Sequence, residues 1–362
     1  MSTDRSSFLP FACIAALVAA ACLAWMPPAE AKARKGTPVL PDEAPDVVVY
    51  GTREDVMRFG AEAAERHAFD MQWVLSALTQ ARFVPNVAKL IMPPPAGTAK
   101  NWVAYRARFV EPRRIAAGVA FWNANEEWLK LAQQRYGVPP EIIVGIVGVE
   151  TIYGQQMGNF RVIDALATLS FDFPSGRSDR SAFFRGELEK YLMLCQREGI
   201  DPLAWRGSYA GAIGMPQFMP SSILAHAVDF DGDEHIDLHN DAADVIGSVA
   251  SFLYDAGWQR GLPVTFEVAT PVDSRERALL LGPDILPTFS AKEFTEHGAV
   301  LDKAATGYEG KLALVELQNG DAAPSYVAGT ANFYALTRYN WSSYYAMAVI
   351  SLGEAVKRQR GP

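Results

Sequence analysis

The sequence predicts a mainly α-helical (α+β) protein that carries one small antiparallel β insertion, and three observations predict it. Apolar residues recur at helical spacing through much of residues 52–257 and again at 344–358. Between 262 and 329 the texture changes to strand-like alternation followed by an Asn-Gly turn signal. At 362 residues and 49% hydrophobic content, the chain is long enough for two or three substructures around at least one large core.

The N-terminus has the order of a processing signal. Arg5 opens a short positive segment, Phe8 to Trp25 is uncharged and largely apolar apart from Pro10, and Ala29-Glu30-Ala31 and Ala31-Lys32-Ala33 are small-x-small sites. Residues 1–33 therefore read as a secretory signal peptide, since the apolar run is marginal for a bilayer span of roughly 20 residues. Ala19-Ala20-Ala21-Cys22 offers the alternative of a lipoprotein box, with Ala19 where Leu is usual. Cys13 and Cys22 fall in this segment. Cys195 is left on the helical stripe Leu188, Tyr191, Leu192, Cys195, as a small buried hydrophobe. The formal net charge is −8 and no Lys/Arg stripe carries interleaved aromatics, so nucleic acid is not expected as a partner.

Residues 34–50, rich in Pro, Asp and Val without a period, form a linker. Residues 51–135 form a helical domain. Phe69, Trp73 and Leu75 to Leu78 make one of its apolar faces, Val119, Phe121, Trp122, Trp128 and Leu129 another, and Pro93-Pro94-Pro95 with Gly97 interrupts it once. A core made of 136–261 and 330–343 begins at Val138-Pro139-Pro140-Glu141, where proline and an acidic first turn favour a helix start. Ile142, Ile143, Ile146 and Val149 carry that helix towards a C-cap at Gly154. Residues 181–199 and Asp244 to Gly257 are further amphipathic helices.

Within 262–329, read as a small β domain, Val264 to Val268 and Lys311 to Leu317 alternate as strands, and Gln318-Asn319-Gly320-Asp321 gives the hairpin. A last helix, Tyr344 to Arg358, turns Tyr345, Val349, Leu352 and Val356 inward and packs on the 51–135 domain. Lys357, Arg358 and Arg360 suit the negative end of its dipole.

Glu150 stands out from its neighbours. It closes the run Ile142-Ile143-Val144-Gly145-Ile146-Val147-Gly148-Val149, in which every other side chain is aliphatic or absent. Lost hydration disfavours the charged carboxylate and raises its pKa, which keeps a general acid protonated near neutral pH. The bland alternative is an exposed glutamate on the last turn of a buried helix. Gly145 and Gly148 leave room for another backbone or a ligand. The stretch from Gly207 to Ser222 mixes small residues with Ser208 and Gln217, and reads equally as a ligand cradle or a structural turn. Tyr339, Trp341, Tyr344 and Tyr345 suit sugar faces or plain core.

Asp229-Phe230-Asp231-Gly232-Asp233-Glu234-His235-Ile236-Asp237 sets oxygen donors at alternate positions, like the first part of an EF-hand loop. In that scheme Asp229, Asp231 and Asp233 give carboxylates, His235 its carbonyl, and Asp237 acts directly or through water. Glu234 replaces the usual Gly and Asn240 the closing Glu, so the last carboxylate comes from Asp241 or, better, Asp244. The pattern predicts a structural Ca2+ over a merely solvated loop, and no His/Cys set points to a catalytic transition metal.

Together these motifs resemble the membrane-bound lytic murein transglycosylase B family. The matching stretches are Tyr136 to Ile143, Gly148 to Thr151, Asp164 to Phe171, Gly207 to Ser222, Asp229 to Asp237, Gly247 to Ala250, and Asn332 to Asn340, in the family's order over most of the mature chain. The resemblance implies a lysozyme-like core flanked by a helical and a small β domain, with a calcium loop at 229–244. It puts the catalytic acid on Glu150 and sugar contacts on Tyr105, Arg180, Ser208, Gln217, Phe218, Tyr339 and Tyr345. Phe252 stands where the family carries a hydroxyl-bearing aromatic, and the stretch before Arg180 is longer than the family's. The implied partner is the peptidoglycan glycan strand. The implied location is the periplasm of a Gram-negative bacterium, or its outer membrane if Cys22 is lipidated.

Ordinary glycosidases need two carboxylates. Asp164 and Asp172, the nearest acids downstream of Glu150, lack its apolar setting. A one-carboxylate transglycosylase is therefore the expected chemistry. The rivals are a lysozyme-type hydrolase and a non-catalytic, calcium-dependent glycan-binding protein.

Overall fold

A computed structural model describes residues 48–93 and 99–361. The signal segment with Cys13 and Cys22, most of the linker, and most of the 93–97 break lie outside the described residues. In chain order the first helices are α1 (Glu54–His67), α2 (Met71–Thr79), α3 (Pro85–Leu90), α4 (Trp102–Ala107), α5 (Pro112–Ala124) and α6 (Glu126–Tyr136). Then come α7 (Pro140–Thr151), α8 (Val162–Phe171), α9 (Ser181–Glu198), α10 (Pro220–His226) and α11 (Ala242–Asp255). The short strands β1 (Phe160–Arg161) and β2 (Arg206–Gly207) pair antiparallel between them. The mainly α, α+β class read from the sequence holds.

The helix that carries Glu150 is fixed by two features. Pro140 occupies its first turn, where a missing N–H costs nothing. From Ile142 to Val149 every residue is buried, so the helix is apolar all round and lies in the interior. It ends at Thr151, short of the expected Gly154: Ile152 and Tyr153 take left-handed φ of 52° and 56°. The Tyr153 N–H closes on the Val147 carbonyl at 3.3 Å, while the Thr151 hydroxyl donates to the Met215 carbonyl at 2.9 Å. That hydroxyl bond ties the chain reversal to the Gly207–Ser222 loop.

The last helix, α16 (Ser343–Arg360), follows α15 (Ala331–Tyr339) and lies along α7, touching α4 and α5 as well. The α7–α16 crossing is set by glycines. A methyl group at Gly145 would collide with the Val349 carbonyl, and one at Gly353 with the Glu141 carbonyl. The space left by Gly145 therefore admits a backbone, not a ligand.

The insertion is mixed, not purely β. It holds α12 (Ser274–Leu281), α13 (Ala291–Glu296) and α14 (Lys303–Thr306) among its strands. β3 (Thr265–Phe266), β5 (Phe289–Ser290), β7 (Lys311–Asn319) and β8 (Ala322–Gly329) form one sheet in the order β3-β8-β7-β5, and β4 (Val268–Ala269) pairs with β6 (Val300–Leu301). Glu267 thus divides the single strand expected at 264–268 into two that join different sheets. In the β7–β8 hairpin Asn319 pairs with Ala322, so Gly320, at φ 63°, takes the first position of the two-residue loop.

β7 is buried on both sides. Leu312 and Leu314 join the insertion's own core with Phe266, Phe294 and Ala328, whereas Ala313, Val315 and Leu317 join the main core. Strand periodicity of two makes this division possible.

Candidate active site

Three elements bring functional side chains to one cavity of about 290 Å³: the end of α7, the Gly207–Ser222 loop, and the end of α15. The loop is buried yet internally bonded. Ile213 and Phe218 exchange backbone hydrogen bonds at 2.8 and 3.1 Å, and Gly214 and Gln217 turn the chain between them with φ of 73° and 51°. The loop is a structural turn that also lines the cavity.

Glu150 reaches the cavity from the last turn of α7. The residue keeps a partly open edge, but its carboxyl is densely surrounded. Burial pushes it up to about 8, and a hydrogen bond that Tyr345 donates to Oε1 at 2.6 Å pulls the other way. Glu150 is the one carboxylate among the described residues that line the cavity. Asp164 and Asp172 are engaged elsewhere: Arg161 pairs with Asp164 at 2.7 Å, and Arg53 with Asp172 at 2.7 Å.

Of the expected sugar contacts, Ser208, Gln217, Phe218 and Tyr339 line the cavity with Glu150. Ser208 Oγ accepts from the Ala212 N–H at 3.0 Å, and the Gln217 amide donates to the Met157 and Gly214 carbonyls at 3.1 and 2.9 Å. Phe218, Phe252 and Tyr339 form a triangle of rings with centroids 4.9 to 5.7 Å apart. Phe252 thus contributes a ring to the wall without a hydroxyl.

Three expected contacts sit outside the lining. Tyr345 is buried behind Glu150, its ring stacked on Tyr339 at 6.3 Å. Tyr105 packs on Phe109 and Tyr344; burial first and the Glu150 charge second push its phenol up to about 12, and its buried hydroxyl has no partner among the described residues. Arg180 lies over Phe183 and Phe184 at 4.6 and 5.6 Å, at the start of α9. Trp341 and Tyr344 are packing residues, against Tyr334 and Trp102 respectively.

Arg114, Gln156 and Asn340 also line the cavity and were not singled out from the sequence. Arg114 carried a readable signal. It stands four and eight positions before Gly118 and Trp122, which puts it on the buried face of α5.

In the acidic loop, Asp229, Asp231 and Asp244 bring ligand atoms within 4.8 Å of one another. Asp233 and Asp237 do not join that set. Asp233 accepts from the His235 N–H at 2.8 Å, and Asp237 from the His239 and Asn240 N–H groups at 2.8 and 3.0 Å. The His235 side chain is exposed. Asp241 caps α11, which leaves Asp244 as the closing carboxylate. Glu234 adopts φ 72°, the left-handed backbone for which the loop usually keeps Gly. Burial and the neighbouring aspartates push Asp244 up to about 6, as expected for crowded carboxylates. The loop is anchored by Phe230, whose ring lies 6.0 Å from Trp128 and 6.3 Å from Tyr136 on α6.

Cys195 is a free, fully buried thiol, pushed up to about 12 by burial. No helix among the described residues is long and apolar enough to cross a membrane.

Comparison with known proteins agrees with this geometry. Residues 51–354 match the family model described as the Transglycosylase SLT domain. The chain is 39% identical over 356 residues to the membrane-bound lytic murein transglycosylase B of Escherichia coli (strain K12), covering 94% of this chain and 95% of the relative. The solved soluble lytic transglycosylase SltB1 of Pseudomonas aeruginosa superposes with a TM-score of 0.77 at 39% identity, covering 85% of this chain and 100% of that one. The Escherichia coli lytic transglycosylase Slt35 in complex with calcium gives a TM-score of 0.76 at 38% identity, over 89% of this chain and 99% of that one. The fold is accordingly lysozyme-like. A lone carboxylate in an apolar helix, a glycine-rich loop beside it and this extent of similarity lead to one conclusion: the chain belongs to the SLT lytic transglycosylases, in the group of the membrane-bound lytic murein transglycosylase B.

Proposed function

We propose that this protein is a lytic murein transglycosylase that cleaves the β-1,4 bond between N-acetylmuramic acid and N-acetylglucosamine, with Glu150 as its single catalytic acid and base. The observation that carries this reading is the isolation of Glu150: among the described residues the cavity has no second carboxylate to serve as nucleophile or water-activating base. A carboxyl pushed up to about 8 is largely protonated at neutral pH.

In the first step the Glu150 proton goes to the glycosidic oxygen and the C1–O bond breaks. The oxygen of the muramoyl acetamido group stabilises the positive C1 centre. Glu150, now ionised, takes the proton of the muramoyl 6-hydroxyl as that oxygen bonds to C1, giving a 1,6-anhydro ring. The carboxyl is thereby re-protonated and no water is consumed. Proton transfer of this kind contributes roughly 10²–10⁴-fold, with positioning supplying much of the rest. Ser208, Gln217, Phe218 and Tyr339 would hold the sugars. Tyr345 acts through Glu150 and is a positioning residue.

Asp229, Asp231 and Asp244 would hold a Ca2+ ion. Their converging oxygens match the hard-donor chemistry of that cation, and bound there it would pin the acidic loop against α11. The site of action is peptidoglycan in the periplasm, reached after removal of the signal segment, with a lipid on Cys22 as the alternative mode of attachment.

Mass spectrometry of muropeptides released from purified peptidoglycan tests the reading. Products lighter by one water than hydrolysis products, with no reducing muramic end, are expected. Reducing muramic ends would make the protein a hydrolase, and glycan binding without release would make it a binding protein.

A further inference from the structure

Arg114 is a charged group that the chemistry above leaves unused. It sits in the first turn of α5, is 3% exposed, and lines the same cavity as Glu150. Its Nε and Nη1 have no hydrogen-bond partner among the described residues. Glu111, whose charge favours the guanidinium, spends its hydrogen bonds on the backbone N–H groups of Arg113 and Arg114 at 2.8 and 2.6 Å. The Phe109 ring, 5.0 Å from Cζ, offers partial cation–π compensation only. The neighbouring Tyr153 hydroxyl packs against Gly118 and Gly148, between α5 and α7, and does not line the cavity.

Among the described residues no hydrogen-bonded carboxylate repays the cost of keeping that cation dehydrated, and a buried charge normally needs such a partner. What Arg114 faces is the space where substrate binds. On the proposed substrate, N-acetylglucosamine is neutral, whereas the muramoyl unit carries a carboxylate on its C3 substituent, either the free lactyl group or a stem-peptide carboxylate. We infer that Arg114 forms an anion subsite that takes this carboxylate and so selects the muramoyl residue over a neutral sugar.

This inference rests on the transglycosylase reading and is tested by titration calorimetry on the full chain carrying Glu150→Gln, which prevents turnover. The probes are an N-acetylglucosaminyl-N-acetylmuramoyl tetrasaccharide with free lactyl groups, the same sugar bearing L-Ala-D-Glu dipeptides, and chitotetraose. Adding Arg114→Met should weaken binding of one or both muramoyl probes roughly 10- to 100-fold, while chitotetraose changes less than about twofold. The probe with the larger loss identifies the carboxylate. Arg114→Lys should restore part of the affinity, and the melting temperature of Arg114→Met should not fall, since an unpaired buried charge has been removed.

Equal losses on charged and neutral probes, or a lowered melting temperature with unchanged selectivity, would make Arg114 a structural residue and overturn the inference. Failure of the parent protein to cleave peptidoglycan or to bind any of the three probes would instead overturn the underlying reading.

Discussion

The Tyr345 hydroxyl donates to Oε1 of Glu150 at 2.6 Å across 195 positions of sequence, and the Tyr345 ring stacks on Tyr339 with an interplanar angle of 12°. The acid on α7 is thus oriented by α16, and the two helices are held in register by the glycine contacts at 145 and 353. Orientation and acidity of Glu150 are therefore properties of the helix crossing as much as of the apolar run around it.

Removing that hydrogen bond with Tyr345→Phe should raise the pKa of Glu150 further, because the bond favours the ionised form. The alkaline limb of the kcat/KM profile should move upward by a fraction of a pH unit to about one unit, and kcat should fall about tenfold as the carboxyl loses its fixed rotamer. A pH–rate profile with an unmoved limb would separate Tyr345 from the acid.

Glu150 must hold its proton to act first as an acid, so kcat/KM should decline as pH rises through about 8. The same shift acts on stability. The folded-state pKa lies above the ordinary value of 4.5, so the stabilising contribution of this carboxyl is complete below that value and is lost as pH rises towards 8. Glu150→Gln cannot ionise. Its melting temperature relative to the parent should increase steadily between pH 5 and pH 8 while activity drops by about 10²–10⁴-fold at every pH. A pH-independent difference in melting temperature would contradict the raised pKa.

Gly145→Ala should destabilise the fold by about 1–3 kcal/mol, since the added methyl meets a carbonyl oxygen that cannot swing aside. Urea unfolding measures the cost. Activity should fall more than the folded fraction does, because separating α7 from α16 also draws Tyr345 away from Glu150. Gly199→Ala is the contrast: its left-handed backbone is strained by a side chain, but no atom lies near the added methyl. It should lower stability through the backbone alone and leave kcat unchanged.

Calcium should raise the melting temperature, by the equivalent of about 2.7 kcal/mol when free ion reaches about 100 times its dissociation constant. Asp231→Asn should abolish that increment. It is a cleaner test than a change at Asp244, whose oxygens also accept the Phe230 and Asp237 N–H groups at 2.8 Å each. A melting curve indifferent to both calcium and chelator would leave the loop a solvated turn.

What could be read from the sequence was mostly local. Glu150, the glycine-rich loop and the inward stripe of α16 announce themselves because a few neighbouring residues carry the whole pattern. Arg114 did not, because Arg113-Arg114 following Pro112 looks like a solvated helix start until Gly118 and Trp122 are counted on the same face. The end of α7 was missed for a different reason. Gly154 is the obvious cap, but the Thr151 hydroxyl bond to Met215 and the chain reversal at Ile152 and Tyr153 stop the helix earlier. The partner that Gly145 makes room for lies on the last helix of the chain, and no spacing near Gly145 encodes it. The acidic loop was legible in its first three aspartates but not in which of them converge, since Asp244, which joins Asp229 and Asp231, comes from the first turn of α11 and lies outside the alternating run.

The two-sided burial of β7 makes the 262–329 segment hard to remove, although it has a core of its own. Its outer leucines belong to the insertion, but Ala313, Val315 and Leu317 wall the main body. A clean excision would open the interior beside α4 and α16 to water, so descendants could trim the segment's short helices far more easily than its central strand. Limited proteolysis at the exposed Gly320-Asp321 loop should for the same reason nick the chain without shedding a fragment, leaving the severed strands seated like a zip cut at its pull but still closed along its teeth.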